Sequence, residues 1–431
     1  MSTLAITGGR VVDPANGLDG PADVFIADGR IVAVGPAPPD GFRPEQTLDA
    51  SGRVVAPGLV DLAARLREPG QEHKATIASE CAAAAAGGIT TLCMPPDTHP
   101  VVDTAAVVEL IHQRAEAAGA ARVVTLGALT VGLEGTQLAE MAELKRAGCV
   151  GVSNALRPVH DTLVLRRALE YAASHDLTVF VHPEDPHLAQ EGCVHEGVVA
   201  TRLGLPGIPA SAETVAVAQI LMLLEQVPAR VHFCRLSAAR SVNLLARAQY
   251  DGMPVTADVA AHQLHLTEMD IGFFDNNCHL RPPLRTRRDL EGLRAGLVRG
   301  TVTAICSDHQ PHDSDAKLAP FCETEPGISA LETLLPLALR LTGGDEPLDL
   351  AAVIARLTCE PARVLGLAAG TLSPGAAADV CIFDPHAHWT VEPDRLVSRG
   401  RNTPFTGWEL EGQVTYTLVG GRVVFQREDP P

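Results

Sequence analysis

The sequence predicts an α/β protein: a (β/α)8 barrel of the TIM type joined to a small β-sandwich domain that both ends of the chain form. Apolar, strand-like runs alternate with helix-like stretches through the middle of the chain. Short β-rich segments separated by turn residues open and close it. With 431 residues, the chain is long enough for one large α/β domain and a smaller satellite.

The two ends of the chain are predicted to share one β domain. LAITGGRVVD and ADVFIADGRIVAVG stand near the start, and ADVCIFDP and GQVTYTLVGGRVVF stand near the end. Each is a short β-rich segment bounded by turn residues. We therefore expect residues 1–53 and 367–431 to form the β-sandwich, and residues 54–366 to form the barrel.

The barrel strands are predicted in eight runs: VVAPGLVDL, TTLCMPP, RVVTLGAL, CVGVSN, LTVFVHPED, ARVHFCRLS, MPVTADVAAH and VTAICSDHQP. Between them, DTAAVVELIHQRAEAAG, TLVLRRALEYAASHD and SAETVAVAQILMLLEQV have the apolar spacing of helices. In such barrels the functional site lies at the carboxyl ends of the strands. The residues that end these eight runs are therefore the candidates for chemistry.

Charge and composition exclude several classes of function. The formal net charge is -18 and no run of lysine or arginine occurs, so nucleic acid and anionic membranes are not expected partners. The amino terminus lacks a signal-peptide pattern, and no apolar run is long enough to span a bilayer. The ten cysteines form no CxxC pair, and several lie in apolar runs, which indicates reduced, buried side chains. These features predict a cytoplasmic protein.

The motifs at the strand ends resemble those of a known family. The first barrel strand continues as VVAPGLVDLAARLREPG. GGITTLCMPPDTHPVVD, FVHPED, LGLPGIPASAE, RPPLR, SDHQPH, PGISALET and NTPFTGWELEG follow in order. Together they resemble the amidohydrolase superfamily, and within it the dihydroorotase family, over nearly the whole chain. The resemblance implies a metallohydrolase-like barrel whose active members hold one or two zinc ions with six side chains.

The resemblance also implies which positions should ligate zinc, and most of them have changed. The family has paired histidines after strand one, a carboxylate after strand four, histidines after strands five and six, and an aspartate after strand eight. The replaced positions are Ala63, Arg65, Asn154 and Arg235, and the surviving ones are His182 and Asp308. None of the chain's lysines follows the fourth strand, so no carboxylated lysine can form the bridge.

The two arginines, Arg65 and Arg235, would repel a metal ion at these positions. A guanidinium about 4 Å from a dication repels it by roughly 8 kcal/mol at an effective dielectric constant of about 20. Arginine also cannot lose its proton to become a ligand. We therefore expect no metal and no cofactor. Asp308 matches the catalytic base of the family, and we expect it to be vestigial and neutralised by Arg65 or Arg235.

The substrate-binding positions are mixed. Arg67 matches the carboxylate-binding arginine of the family, and His312 matches a histidine that contacts substrate. Asp97 lies near a family asparagine, where an acid would repel a dicarboxylate-like substrate. Arg281 replaces another asparagine, and Gln310 replaces a small residue. Specific recognition of dihydroorotate is therefore not expected, and Arg67 has the alternative role of capping or salt-bridging its loop.

The pattern of lost ligands and intact fold motifs is most similar to the pseudo-dihydroorotases. These inactive homologues are structural partners of aspartate carbamoyltransferase in pyrimidine biosynthesis. The resemblance implies a non-catalytic subunit of a hetero-oligomer with that enzyme.

Two alternatives stay open. The first is a hydrolase of cyclic amides with a single metal, such as zinc, held by His182, Asp308 and a displaced histidine. The candidates for that histidine are His232, His262, His265, His309 and His312. The second is a free-standing scaffold, like the metal-free homologues of dihydropyrimidinase that bind cytoskeletal proteins.

Overall fold

A computed structural model describes residues 3–343 and 347–427 of the chain. Its strands are β1 (Thr3–Thr7), β2 (Arg10–Asp13), β3 (Leu18–Pro21), β4 (Asp23–Ala27), β5 (Arg30–Gly35), β6 (Gln46–Asp49), β7 (Val54–Pro57), β8 (Leu59–Asp61), β9 (Ile89–Met94), β10 (Arg122–Ala128), β11 (Gly151–Ser153), β12 (Thr178–Val181), β13 (Val194–His195), β14 (Gly207–Ile208), β15 (Arg230–Phe233), β16 (Val255–Ala260), β17 (Ala304–Cys306), β18 (Val380–Thr390), β19 (Glu409–Val419) and β20 (Arg422–Gln426). Its α-helices are α1 (Ile77–Ala86), α2 (Ala105–Ala118), α3 (Met141–Arg146), α4 (Thr162–Ser174), α5 (Pro186–Ala189), α6 (Val198–Leu203), α7 (Ala210–Leu224), α8 (Ala239–Tyr250), α9 (Arg287–Val298), α10 (Leu334–Leu339), α11 (Leu350–Leu357) and α12 (Cys359–Leu365).

Eight parallel strands form the barrel. They run from β8 through β12 and then from β15 to β17, and each pairs with the barrel strand that precedes it in the chain. The sheet closes beyond the last strand, where the backbone N–H of Arg65 donates to the carbonyl of His309 at 2.9 Å and the His309 N–H donates to the carbonyl of Ala63 at 3.0 Å. All eight predicted strand runs contain a strand, and helices α2, α4 and α7 lie in the three predicted helical stretches. The (β/α)8 prediction is confirmed.

The apolar character of the strands explains why they are buried on both faces. Every residue of β9 is buried, as expected for a parallel strand with helices outside and other strands inside. The connection into β8 is tight at Gly58, because a Cβ atom there would lie 2.2 Å from the side-chain oxygen of Thr90. A glycine at this position lets the first barrel strand lie against its neighbour.

The terminal strands form the β-sandwich, but its first part extends beyond the expected boundary at residue 54, because β7 (Val54–Pro57) pairs with β2 and β18 in a terminal sheet. One sheet has the order β20-β19-β18-β7-β2-β3, so strands from both ends of the chain lie side by side, and the other has the order β5-β4-β1-β6. Both sheets contribute to a shared apolar core whose members include Ile6, Ile26, Val55, Ile382 and Leu418. Within residues 3–343 and 347–427, no helix combines the length and the apolar character needed to cross a membrane.

The cysteine interpretation is wrong for one pair. Cys193 and Cys322 form a disulfide bond although 129 residues separate them in the chain. Cys193 follows α5 in the loop region after β12, and Cys322 lies in the loop region after β17. These loops meet at the carboxyl end of the barrel, which spacing along the sequence does not encode. The other eight cysteines are free, and seven of them are buried.

Candidate functional site

The carboxyl ends of the strands bring together the side chains that replace the zinc ligands. Arg65 follows β8, Arg235 follows β15 and Asp308 follows β17. Arg235 and Asp308 both have left-handed backbone conformations, with φ values of 54° and 49°. Such conformations are uncommon for residues other than glycine, and they concentrate at functional sites. The strand ends therefore keep a specialised backbone although their side chains have changed.

Asp308 lies between two guanidinium groups. Its Oδ1 atom is 3.6 Å from Nη1 of Arg65 and 3.4 Å from Nε of Arg235, and Gln310 donates a hydrogen bond to the same oxygen at 3.2 Å. All three charged side chains are almost fully buried. Both arginines lie within ion-pair distance of Asp308, which agrees with the expectation that one of them neutralises it. Burial still raises the pKa of Asp308 to about 6, against the opposing effect of the two arginines.

Arg65 also pairs with a second carboxylate. Its Nε atom donates to Oδ2 of Asp97 at 2.8 Å. Burial acts to raise the pKa of Asp97, but the nearby Arg65 holds this pKa below its ordinary value. From the sequence, Asp97 was expected only to repel a dicarboxylate-like substrate. In the structure Asp97 is instead the closest ionic partner of an arginine that stands in a metal position.

Asn154, which replaces the bridging carboxylate, has a structural role. Its Oδ1 accepts from the hydroxyl of Thr130 at 2.7 Å, and its Nδ2 donates to the carbonyls of Leu133 and Arg157 at 3.3 and 2.7 Å. The amide therefore ties together two loops on neighbouring barrel strands. A carboxylate could not donate to these two carbonyls.

His182 survives as a family ligand but has a changed neighbour. Its Nε2 atom is 3.7 Å from Glu184, and within the described residues neither ring nitrogen has a hydrogen-bond partner. Glu184 forms two hydrogen bonds with Arg281, the residue that replaces a family asparagine. Sequence reasoning missed Glu184, although it stands two residues after His182 in the quoted VFVHPED motif. The available signal was an acidic side chain two residues after the surviving histidine.

Arg67 and His312 contact each other and their own loops. Arg67 donates to the Pro311 carbonyl at 2.9 Å and to Gln71 at 3.2 Å, and its Nη2 lies 3.1 Å from Nε2 of His312. Burial and the nearby Arg65 lower the pKa of Arg67 to about 10. Burial, Arg67 and Lys74 lower the pKa of His312 to about 2, so its imidazole is neutral. The alternative role of Arg67, as a link within its loop, agrees with these contacts, and substrate binding stays a prediction.

The space at this end of the barrel is small. A cavity of about 10 Å³ is lined by Arg65, Arg67 and Asp97, and a second cavity of about 50 Å³ is lined by Asn154 and His182 among others. The first is close to the size of one water molecule. Pockets for small-molecule substrates are typically about 300–1,000 Å³. In this conformation, neither cavity has room for a ring-shaped substrate.

The residues present do not fit the two-zinc centre that the resemblance implies. Two ligand positions hold arginines that flank Asp308, and the bridging position holds an amide whose hydrogen bonds are made within the protein. Among the described residues, one buried group has metal-ligand spacing: His232, Cys234 and Asp258. However, His232 Nε2 and Asp258 are hydrogen-bonded to each other at 3.0 Å.

The Glu184 to Arg281 pair gives a pH prediction. Glu184→Gln is expected to lower the free energy of unfolding at pH 7 by about 2–3 kcal/mol, because it removes a buried, charge-assisted hydrogen-bonded pair. Despite burial, His182 and Arg281 lower the pKa of Glu184 to about 2, from an ordinary value of 4.5. A lowered pKa stabilises the fold above pH 4.5, and that stability is lost as the pH falls towards 2.

Urea unfolding of the parent and the variant at several pH values between about 2.5 and about 7 measures this difference in the free energy of unfolding. Glu291→Gln is a matched control, because Glu291 is exposed and pairs with Arg287 on the surface of α9. A Glu184→Gln deficit that stays constant down to the lowest pH would contradict the assigned pair.

The fold and the strand-end motifs agree with a broad class of proteins, the amidohydrolases. The family described as "Amidohydrolase family" matches residues 308–425, and the family described as "Dihydro-orotase-like" matches residues 52–241. Among solved structures, the L-hydantoinase (dihydropyrimidinase) from Arthrobacter aurescens superposes with a TM-score of 0.88, covering 100% of this chain and 97% of that one. At 23% sequence identity, this likeness bears on the fold alone.

Closer relatives identify the family. A dihydroorotase-like protein of Pseudomonas putida is 52% identical over 98% of this chain and 99% of its own length. One of Pseudomonas aeruginosa is 51% identical over 98% of this chain and 100% of its own length. A dihydroorotase of Anaeromyxobacter sp. (strain K) is 46% identical, with 98% of each chain covered. The chain belongs to the dihydroorotase-like family.

Proposed function

We propose that the protein is a non-catalytic, dihydroorotase-like subunit of de novo pyrimidine biosynthesis that assembles with aspartate carbamoyltransferase. The observation that carries the proposal is Asp308 held between Arg65 and Arg235, two arginines that stand in metal positions. A base held in this way has no metal-activated water from which to accept a proton. The partner is inferred from the family resemblance.

Exposed apolar side chains at the carboxyl end of the barrel support a partner protein. Phe273 is 99% exposed, Val198 80% and Leu318 77%. They lie in the loop regions after three different barrel strands. Large exposed apolar side chains on the loops at one end of the barrel are candidates for contact with a partner protein. This is the surface at which we propose that the transferase docks.

The alternative enzymatic function is a cyclic amide hydrolase with one metal. The observation that favours it is a second buried imidazole, His262, whose ring nitrogens have no hydrogen-bond partner in the described part of the chain. His182, Asp308 and His262 would be the three ligands, although these side chains do not form a group with metal-ligand spacing in the described part of the chain. Burial and the positive charge of Arg235 lower the pKa of His262 to about 3, which indicates that a cation already stands near this imidazole. We therefore favour the non-catalytic function.

Metal analysis and a turnover assay separate the two functions. We expect the purified protein to contain well under one zinc per chain, and neither to cyclise carbamoyl aspartate nor to open dihydroorotate. Ala63, Arg65 and Arg235 offer no ligand atom, and the amide of Asn154 is bonded within the protein. Stoichiometric zinc together with turnover that a chelator abolishes would overturn the proposal.

Reconstitution tests the partner. Size-exclusion chromatography with the aspartate carbamoyltransferase of the same cell should give a joint peak that Phe273→Ser weakens. Tyr250→Ser is the matched control, because Tyr250 is 83% exposed and lies at the end of α8, before the strand β16, at the opposite end of the barrel. A chain that elutes alone under all conditions would favour the free-standing scaffold.

Restoring zinc ligands one at a time is expected to fail. Ala63→His leaves two guanidinium groups beside Asp308, so zinc uptake should require Ala63→His, Arg65→His and Arg235→His together. Adding Asn154→Asp should lower the free energy of unfolding by about 1–3 kcal/mol. The new carboxylate cannot donate to the carbonyls of Leu133 and Arg157, which the amide of Asn154 does. Zinc content by atomic emission and chemical unfolding measure both effects. Zinc uptake by any single variant would mean that a metal site already exists.

A further inference from the structure

A cavity of about 740 Å³ runs along one face of helix α9. Arg287, Leu290, Arg294 and Val298 line it, and because they are spaced three or four residues apart they share that face of the helix. The volume lies in the range of about 300–1,000 Å³ that is typical of small-molecule pockets. The cavity beside α9 therefore has room for a small molecule, unlike the cavities among the residues that replace the zinc ligands.

Apolar side chains from three parts of the chain form much of the cavity wall. Leu290 and Val298 come from α9, Leu341 and Leu348 from the chain between α10 and α11, and Met269 from the loop after β16. Met269 is 61% exposed and Val298 is 46% exposed. The apolar body of a ligand would remove this surface from water, which is favourable.

The guanidinium group of Arg294 is held at the wall of this cavity. Its Nε atom donates to the carbonyl of Leu264 at 2.9 Å, and its Nη2 atom is 3.5 Å from Nδ1 of His265. Nε2 of His265 donates to the carbonyl of Leu337 at 2.7 Å, and burial lowers the pKa of this imidazole to about 4. The imidazole is therefore neutral, and its Nδ1 atom is the acceptor that faces Arg294.

The acidic side chains of the cavity have other partners. Glu291 pairs with Arg287 at 3.0 Å, and Asp270 accepts from the backbone N–H and the hydroxyl of Thr267. Among residues 3–343 and 347–427, Arg294 bonds only to a carbonyl and an imidazole, and no carboxylate lies within ion-pair distance of it. The positive charge of Arg294 is therefore available to an anion that enters the cavity.

Further positive charge lies near Arg294, in a chain whose formal net charge is -18. Burial, Arg340 and Arg287 lower the pKa of Arg294, but an arginine keeps its proton at neutral pH. A carboxylate would relieve this repulsion and accept the unused N–H donors of the guanidinium. Because Glu291 and Asp270 also line the cavity, a dianion would be repelled more strongly than a monoanion.

We propose that the cavity beside α9 binds a monocarboxylate with an apolar body, its carboxylate on Arg294 and its body against Leu290, Val298 and Leu348. The combination of one available cation and several apolar side chains in one cavity is what such a ligand requires. The inference is independent of the proposed function, because the cavity contains none of the residues at the strand ends.

Isothermal titration calorimetry with octanoate, and with octanamide as its uncharged analogue, tests the proposal. We expect octanoate to bind saturably, with a Kd at least about tenfold lower than that of octanamide. Arg294→Gln should weaken octanoate binding about tenfold and leave octanamide binding unchanged, whereas Val298→Ser should weaken both. Arg166→Gln is the matched control, because Arg166 is an arginine on α4, outside the cavity, and this variant should bind like the parent.

Equal affinities of the parent for octanoate and octanamide would overturn the proposal, as would an unchanged octanoate Kd in Arg294→Gln. If Arg294→Gln does not fold, the comparison of the two ligands in the parent still decides, together with Arg294→Lys, which keeps the charge and should keep the preference for octanoate. A crystal soaked with 8-bromooctanoate should show anomalous scattering from bromine among the apolar side chains beside α9.

One further variant tests whether the chain supplies its own carboxylate. Asp345 and Glu346 lie outside the described residues, in the stretch between Leu341 and Leu348. Octanoate binding that occurs only when Asp345→Asn and Glu346→Gln are combined would overturn the proposal, because the partner of Arg294 would then belong to the protein itself. Binding by the parent as tight as by this double variant supports it.

Discussion

Replacing Arg65 with alanine is expected to lower the free energy of unfolding by about 3–5 kcal/mol. Arg65 is the hydrogen-bond partner of Asp97 and one of two cations beside Asp308, so its loss leaves one carboxylate without its cation and weakens the pairing of another. Arg235→Ala should cost less, about 1–3 kcal/mol, because Arg65 remains beside Asp308. Chemical unfolding of each variant gives these values.

A double-mutant cycle isolates the ionic part of this effect. Combining Arg235→Ala with Asp308→Asn should recover part of the lost stability, with a coupling energy of about 1–3 kcal/mol. Arg235→Met serves as the control for packing, because it keeps the apolar stem and removes the charge. If both arginine variants unfold like the parent and show no coupling to Asp308, the arginines do not replace the metal electrostatically. Their presence would then need another explanation.

The part of the site that the sequence predicted depends on strand-end geometry. Parallel strands of a closed barrel bring their carboxyl ends together, so two arginines at ligand positions had to lie near the surviving Asp308. The same reasoning predicted the eight strands, because apolar runs alternate with helical patterns. It could not predict that both arginines would flank the same oxygen of Asp308, since side-chain rotamers decide that.

The contacts that the sequence did not predict depend on the shapes of loops. The partners of Asn154 include two backbone carbonyls, whose positions follow from the backbone path after β10 and β11. Asp97 lies next to Arg65 because of the path of the loop that follows β9. The bond between Cys193 and Cys322 joins loops that are far apart in the chain. None of these contacts has a periodic or local sequence signal.

Breaking the bond between Cys193 and Cys322 is expected to lower the free energy of unfolding by about 2–4 kcal/mol. A cross-link between residues 129 positions apart removes much of the conformational freedom of the unfolded chain. It also joins the loop regions after β12 and β17, which lie beside His182 and Asp308. Cys193→Ser and Cys322→Ser should each produce the full loss, and their combination should add little, because either change alone removes the bond.

Chemical unfolding of the parent with and without reductant, alongside the two variants, measures this contribution. The reduced parent should match the variants, and reductant should leave the variants unchanged. Cys359→Ser is the matched control, because Cys359 is a partly buried free thiol at the start of α12 that takes no part in the bond. If thiol titration of the unreduced, unfolded protein finds all ten cysteines free, the bond does not form in solution. The two loops would then be held together by packing alone, and reductant would leave the stability of the parent unchanged.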